Sequence, residues 1–354
     1  MDLFDIMKNT ECKEVLFFSE PTVSLKAIVA INNTTLGPAV CSCKIQNYGN
    51  FQEAIGDALS LASYHTYSAA LLRRNIGGGS VILWGDPKVV KSEMYFRALG
   101  ICLNKLEGKV FLTGESGISV ADLLNVKRES RYVLGLPCLY GGMGSTPLST
   151  AKGVLWGIKA AVKHTMDETS LKKFKVTVQG IGQVGRKLVE LLIAEGAEVT
   201  VADLLYDKIK EIQDQYPFIK IVRPQEIFDV DCDILAPCAP SFDITQENIP
   251  KMKCKIIAGA ANLGLGQKNF AQDLAQKKIL FVPGFLLNSG ATIHISNELS
   301  HYGMEKTEEE LKDIYHTVLS VLEIAKEKKQ PVMDVALGIA HDYIQSVSAI
   351  KMLQ

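Results

Sequence analysis

"KFKVTVQGIGQVGRKLVELLIAEGAEVTVAD", residues 173–203, decides the fold. Its apolar run KVTVQ leads into three glycines spaced G-x-G-x-x-G (Gly180, Gly182, Gly185), and "QVGRKLVELLIAEG" continues with the apolar spacing of an amphipathic helix. A second apolar run, EVTVAD, ends on Asp203, 18 residues past Gly185. Three spaced glycines alone are a weak signal. Set between a strand and a helix, with an acid at the end of the next strand, they form a dinucleotide-binding fingerprint.

Each part has a physical job. Gly180 permits the tight turn, Gly182 lets the backbone approach a pyrophosphate, and Gly185 lets helix and strand pack closely. Gln183 and Val184 open the helix, whose N-terminal N–H groups favour the diphosphate. Asp203 accepts hydrogen bonds from ribose hydroxyls, and only Leu204 and Leu205 follow it. A 2′-phosphate would meet a carboxylate and nothing cationic, so NAD is favoured over NADP. The bland alternative is a glycine turn that packs a helix on a sheet and binds nothing.

Outward from this stretch the chain keeps alternating strand and helix. Strands are expected at "CDILAPCA" (232–239), "CKIIAGAAN" (254–262) and "ILFVPGF" (279–285), and this alternation implies a parallel, doubly wound sheet, the Rossmann arrangement. On the N-terminal side, "LKAIVAIN" (25–32), "SVILWG" (80–85) and "KVFLT" (109–113) read as strands, with helices at 51–72 and 93–106. The fold class is thus α/β, with an N-terminal α/β domain over 1–140 and a C-terminal Rossmann domain over 141–330. The boundary lies near Gly141, in the Gly/Ser/Thr/Pro-rich "CLYGGMGSTPLSTAKGV" (138–154). Residues 307–330 read as one charged amphipathic helix that Pro331 stops, and a last helix over about 331–354 is expected to pack back on the first domain.

Composition narrows the partners. The chain has 354 residues, 47% hydrophobic and 22% charged, with a formal net charge of −1. Nucleic acid and anionic membrane are not expected, because either normally needs a basic surface. No apolar stretch reaches spanning length. "MDLFDIMKNTECKEV" reads as neither signal nor transit peptide, and the eight cysteines are scattered in apolar contexts, as suits reduced thiols in the cytoplasm. Cys41-Ser42-Cys43 lacks metal-ligand spacing, so no metal is expected.

With this order of parts the chain resembles the leucine, phenylalanine, valine and glutamate dehydrogenase family, most closely its leucine dehydrogenase branch. The matching segments are "LKAIVAINNTTLGPA" (25–39), "GGG" (77–79), "GDP" (85–87), "GIGQVG" (180–185), "APCA" (236–239), "KIIAGAAN" (255–262) and "LNSGATIHISNEL" (287–299). The resemblance implies an N-terminal substrate-binding and oligomerisation domain, a C-terminal NAD domain, a catalytic cleft between them and a homo-oligomer of two to eight chains. It also places Cys238, Ala239, Asn262 and Asn288 along the cofactor, and it implies a small amino or imino acid as ligand.

The family's reaction is reversible oxidative deamination, and two lysines carry it. One belongs to a motif whose counterpart here is "HTYSAA" (65–70), so the lysine that would hold the substrate carboxylate is Ser68. The other ends the glycine run and acts as general base with water; here it is Ser80. A nearby catalytic acid corresponds to Glu115 in "LTGESGI" (112–118), or to Ser116 after a slip of one residue. Two glycines of the family's "GGTR" segment, with its Thr and Arg, become Cys41, Ser42, Cys43 and Lys44.

A serine hydroxyl does not deprotonate water near neutral pH unless another base activates it, and general-base catalysis is worth about 10²–10⁴ in rate. A neutral hydroxyl also forfeits a charge-assisted bond to a carboxylate, roughly 1.5–3 kcal/mol. Ordinary oxidative deamination is therefore not expected. Two expectations follow: a remodelled NAD-dependent oxidoreductase acting on an amino or imino acid or a related amine, or a catalytically silent module for binding, sensing or assembly. New polar groups stand near the altered positions. Arg73 and Arg74 read either as a carboxylate clamp or as solvated surface, and His65 and His294 either as proton carriers or as hydrogen-bonded structural residues. The glycine run 77–79 reads as a substrate-side loop between a helix and a strand, where close backbone approach to a small ligand is possible.

Overall fold

The computed structural model describes residues 2–239, 244–262 and 270–353. The chain divides into two compact units, residues 1–145 with 294–304 and 340–354, and residues 146–293 with 305–339.

The first unit is built on strands β1 (Glu14–Glu20), β2 (Leu25–Asn33), β3 (Ala39–Gln46), β4 (Gly77–Trp84) and β5 (Val110–Gly114), in the order β1-β2-β4-β3-β5. β1 and β2 form an antiparallel pair, as do β2 and β4, whereas β3 runs parallel to both β4 and β5. Helices α1 (Leu3–Asn9), α2 (Phe51–Leu71), α3 (Pro87–Val90), α4 (Glu93–Asn104) and α5 (Val120–Lys127) complete its N-terminal part. Strand alternation sends Val81 and Leu83 to one core with Val29, Ile31, Phe96 and Leu99, and sends Ile82 to another with Ala30, Ala54, Ala58 and Leu59. Both faces of the central strand are covered, which is why β4 reads as a nearly continuous apolar run. Side chains fix where the helices begin: Asn50 Oδ1 accepts from Glu53 N (2.9 Å) to start α2, and Ser92 Oγ accepts from Tyr95 N (3.2 Å) to start α4.

In the first unit, the half-buried Glu298, on the helix Gly290–Leu299, accepts the Gly135 N–H through both carboxylate oxygens, at 3.0 and 3.1 Å. Burial pushes its carboxyl above the ordinary value, while the N–H groups of Met143 and Gly135 and the charge of Lys127 pull the other way. Between the ordinary and the raised pKa the folded chain holds a proton that the unfolded chain has lost, so this group lowers stability as pH rises through that interval. Glu298→Gln removes the slope. Relative to the variant, the wild-type Tm is expected to climb as pH is lowered from about 8 to about 4. Calorimetry in which the wild type instead falls against the variant overturns the assignment.

The second unit holds an all-parallel sheet of β6 (Lys175–Gln179), β7 (Glu198–Ala202), β8 (Lys220–Ile221), β9 (Ile234–Pro237), β10 (Ile256–Ile257) and β11 (Leu280–Phe281), in the order β11-β10-β9-β6-β7-β8. Helices α6 (Pro147–Met166), α7 (Gln183–Ala194) and α8 (Tyr206–Gln215) belong to it. The sheet departs from β6 in both directions, the doubly wound topology the sequence implies. β10 and β11 are only two residues long, so the apolar runs around them continue as turns and as the short helix Gly284–Leu287.

The single helix expected over 307–330 is a correction. The chain forms two helices, Met304–Glu310 and Asp313–Lys328, with Leu311 and Lys312 in a turn between them. Neither glycine nor proline marks that turn, so the sequence carries no breaker signal. No described helix is long and apolar enough to cross a membrane. Among the described residues every cysteine is a free thiol, and no His, Cys, Asp and Glu group is arranged to hold a metal ion.

Candidate active site

The N-terminal positions gather where α2 lies on β4. Ser80 is 0% exposed, and its Oγ donates to the Ala58 carbonyl of α2 at 2.7 Å. Ser68, on the same helix, is 2% exposed. His65, one turn before Ser68, meets the Gly79 carbonyl through Nδ1 at 2.7 Å. A carbonyl only accepts, so Nδ1 is the donor in that contact, and Nε2 is the ring nitrogen left to gain or give a proton.

The glycine run is a correction to the loop expected there. Gly77, Gly78 and Gly79 are the first three residues of β4, buried and paired with β2 and β3. Their missing side chains serve the fold. A Cβ on Gly78 would run into Thr66 N and Oγ1 and come within 2.6 Å of the Ala62 carbonyl, and one on Gly79 would run into Cys41 Sγ. The close backbone approach is thus to α2 and to β3, so that a helix lies flat on the sheet beside Ser80.

Register extends the site across the sheet. Ser42 of β3 pairs with Ser80 of β4 and with Thr113 of β5, which puts three hydroxyls in one row on one face. Ser42 is 6% exposed, and its Oγ has no hydrogen-bond partner. Lys44, two residues on, forms an ion pair with Asp57 of α2 at 2.7 Å, and the Tyr48 hydroxyl donates to the same Asp57 oxygen. Burial, then that hydrogen bond, then the charges of Asp57 and Glu115 hold the Tyr48 phenol far above its ordinary pKa. Lys44 is therefore not an uncommitted cation. Asp57 and Tyr48 escaped the sequence reading, although an acid within the largely apolar "AIGDALSLA" of α2 was a signal.

Glu115 is exposed just past β5, where its N–H continues the ladder to the Cys43 carbonyl at 3.0 Å. Its charge adds to the burial that holds the Cys43 thiol well above its ordinary pKa. Ser116 instead offers its carbonyl to Ile45 N at 3.2 Å. Arg73 ends the α2 segment in the left-handed region (φ 52°), exposed, with its guanidinium over the Tyr343 ring at 5.7 Å. Arg74 is half-buried and engaged with a partner of its own. His294 is 1% exposed on the helix Gly290–Leu299.

In the second unit the fingerprint takes the shape its spacing implies. Gly180 has φ +89°, and a Cβ there would lie 2.7 Å from Ala239 Cβ; one on Gly185 would strike the Gly180 carbonyl and approach Cys238 Cβ to 3.2 Å. Gly182 differs, since a Cβ there meets nothing within 4 Å. It is the N-cap of α7, and no side chain caps that helix. Asp203 accepts from Ile181 N (2.7 Å) and from Leu205 N (2.8 Å). Asn288 Nδ2 donates to Asn262 Oδ1 (2.9 Å) and to the Ala260 carbonyl (3.1 Å), which joins the two expected cofactor asparagines. The Cys238 N–H donates to the Gln179 carbonyl (2.7 Å), and burial pushes the Cys238 thiol up to about 11.

Two further findings bear on a cofactor. Gln179, last in β6, has a buried Oε1 with no partner beside the glycine turn. Lys208, early in α8, lies 3.8 Å from Asp203 Oδ2. This corrects the expectation that nothing cationic stands at the ribose acid: the helical turn after Leu205 carries Lys208 back toward it.

A parallel sheet, a glycine turn whose middle residue borders open space, an uncapped helix and an acid closing the next strand define a dinucleotide-binding α/β protein. The description "Glutamate/Leucine/Phenylalanine/Valine dehydrogenase" matches residues 141–205 and 201–349, and "Glu/Leu/Phe/Val dehydrogenase, dimerisation domain" matches residues 15–135. The chain belongs to the Glu/Leu/Phe/Val dehydrogenase family. It is 35% identical to a leucine dehydrogenase of Thermoactinomyces intermedius over 345 residues, covering 98% of this chain and 94% of that one. A phenylalanine dehydrogenase of the same organism is 31% identical over 353 residues, 99% of this chain and 96% of the relative. The crystal structure of L-tryptophan dehydrogenase from Nostoc punctiforme superposes with a TM-score of 0.79 at 34% identity, covering 98% of this chain and all of the other. The family's dehydrogenases are NAD(P)-dependent, and the open side of Gly182, the uncapped α7 and the unpartnered Gln179 oxygen fit such a group.

Proposed function

We propose that the protein is a divergent NAD-dependent oxidoreductase that acts at the carbon–nitrogen centre of an amino acid, imino acid or related amine, and is not an ordinary oxidative deaminase. One observation carries this reading. Ser68 and Ser80, at the two positions where the resemblance implies a lysine, are buried, with the Ser80 hydroxyl committed to Ala58, while the dinucleotide fingerprint is intact. When bound, the nicotinamide supplies or accepts hydride. Reduction of an imine that already exists needs, besides that, a proton donor and no activated water, which is the step the missing lysine would perform. His65, with Nδ1 fixed on Gly79, is a side chain of suitable chemistry to hold that proton at Nε2.

Asp203 favours NAD, and Lys208 partly offsets that preference by facing the same carboxylate. Gly180, Gly182, Gln183, Val184, Gly185, Cys238, Ala239, Asn262 and Asn288 complete the cofactor side. A substrate and oligomerisation domain over 1–140, a Rossmann domain over 141–330, a homo-oligomer of two to eight chains and a cytoplasmic location belong to the same reading. Its test is turnover by the purified chain with NAD(H) on three panels: amino acids, keto acids with ammonia, and preformed cyclic imines or amines. Turnover confined to the third panel supports it. Amino-acid deamination at family-like rates, or silence on all three panels, rejects it.

The bond from Ser80 to Ala58 also favours a second reading, in which the site is part of the scaffold and the protein binds NAD without catalysis. The double variant Ser68→Lys with Ser80→Lys separates the two. Under the first reading the variant stays silent in deamination, because Lys44, Ser42 and His65 have changed with the lysines. If deamination appears at 100-fold or more above wild type, at the lower end of about 10²–10⁴ for a general base, the scaffold reading stands.

A further inference from the structure

We infer that Lys208 is the residue that sets cofactor choice, and that through it the chain binds NADPH as well as NADH. This deepens the oxidoreductase reading above and rests on it for the presence of a dinucleotide at the glycine turn. Asp203, the acid that follows β7, is turned inward: its side chain is 9% exposed, and its oxygens accept from Ile181 N at 2.7 Å and from Leu205 N at 2.8 Å. Lys208 stands outside it, 39% exposed, with Nζ 3.8 Å from Asp203 Oδ2. That distance pairs the charges without a hydrogen bond, so Asp203 takes none of the ammonium's three donors. Leu204, Leu205 and Tyr206, which follow the acid, are exposed and uncharged. Asp207 does not share the face of Lys208, because successive residues on a helix do not face one another.

The packing of α8 on α7 holds the lysine there. Arg186, one residue past Gly185, donates to Glu211 Oε2 at 2.7 Å and to Gln215 Oε1 at 3.0 Å. Glu211 and Gln215 follow Lys208 by three and seven positions, so all three lie on one face of α8. The clamp from α7 thereby turns Lys208 toward the glycine turn and Asp203. No side chain caps the start of α8, which leaves the positive end of that helix to the same region. A 2′-phosphate carries close to two negative charges. Against an acid alone it is repelled, which is how such an acid selects NAD. Against the pair, the charges of Asp203 and Lys208 offset each other, and the phosphate gains a charge-assisted bond from an ammonium already in place. A ribose hydroxyl is served as well, since it donates to the carboxylate and accepts from the ammonium.

The test is titration of the full chain with NADH and with NADPH, read by nicotinamide fluorescence, for the wild type and for Lys208→Gln. The wild type is expected to bind NADPH within tenfold of NADH. Lys208→Gln is expected to cost NADPH about tenfold or more, the scale of a charge-assisted bond, and to cost NADH less than threefold, with Tm unchanged. If NADH binds and NADPH is weaker by more than tenfold, the inference is overturned and the oxidoreductase reading stands. A smaller NADPH loss in Lys208→Gln, or an NADH loss of threefold or more, overturns it too. The expected affinities without turnover on any substrate panel support the inference and reject the reading. Binding of neither dinucleotide rejects both.

Discussion

Gly182→Ala is expected to weaken NADH binding by about 10–100-fold, the equivalent of about 1.5–3 kcal/mol for hydrogen bonds to a charged group, with Tm unchanged. The added methyl strains nothing in the protein. Residue 182 has φ −75° and ψ −164°, an extended backbone open to any residue, and its Cβ meets no atom within 4 Å. That open side faces away from the fold at the start of α7, which has no capping side chain. Its first-turn N–H groups are left to a ligand's oxygens, and the methyl would stand in the way of a diphosphate. Titration of NADH by nicotinamide fluorescence, together with a melting curve, reads both quantities. An unchanged affinity would mean that the dinucleotide does not cross this turn.

The second large effect falls on stability. Gly78→Ala is expected to destabilise the chain by about 3 kcal/mol, at the upper end for an overpacked core, and to lower Tm by about 6–12 °C. The new Cβ would overlap Thr66 N and Oγ1 and sit 2.6 Å from the Ala62 carbonyl. These atoms are helix backbone and a short side chain rather than the end of a flexible one. α2 would have to lift from β4, and the bond from Ser80 to Ala58 would lengthen with it. A Tm within about 2 °C of wild type would show that the helix yields at little cost. The two substitutions thus separate a glycine kept for a ligand from a glycine kept for packing.

The difference between those glycines was only half visible in the sequence. The fingerprint around Gly180 was legible because its spacing, its flanking strand and helix and its terminal acid are all local. The run Gly77 to Gly79 was misplaced for a non-local reason: what needs the missing side chains is the Asn33 carbonyl for Gly77, the helix that ends at Leu71 for Gly78 and Cys41 of β3 for Gly79, all distant in sequence from the strand they crowd. The same holds for the cations. Lys44 and Asp57 are thirteen positions apart, and only the crossing of α2 over β3 and β4 brings them together. Lys208 follows Asp203 by five positions, yet its approach depends on where α8 starts. The commitments of these charges were not legible in the sequence, because each partner lies on another element.

Asp203 links two events that are usually considered apart. Its two oxygens hold the Ile181 and Leu205 N–H groups, one inside the glycine turn and one at the approach to α8. The loop that would receive a diphosphate and the acid that would receive a ribose are therefore set by the same carboxylate before any ligand arrives. A cofactor meeting such a turn has little chain left to order, so its association is a matter of encounter rather than of rearrangement. Its rate would then rise in direct proportion to concentration, without the plateau that a slow isomerisation imposes.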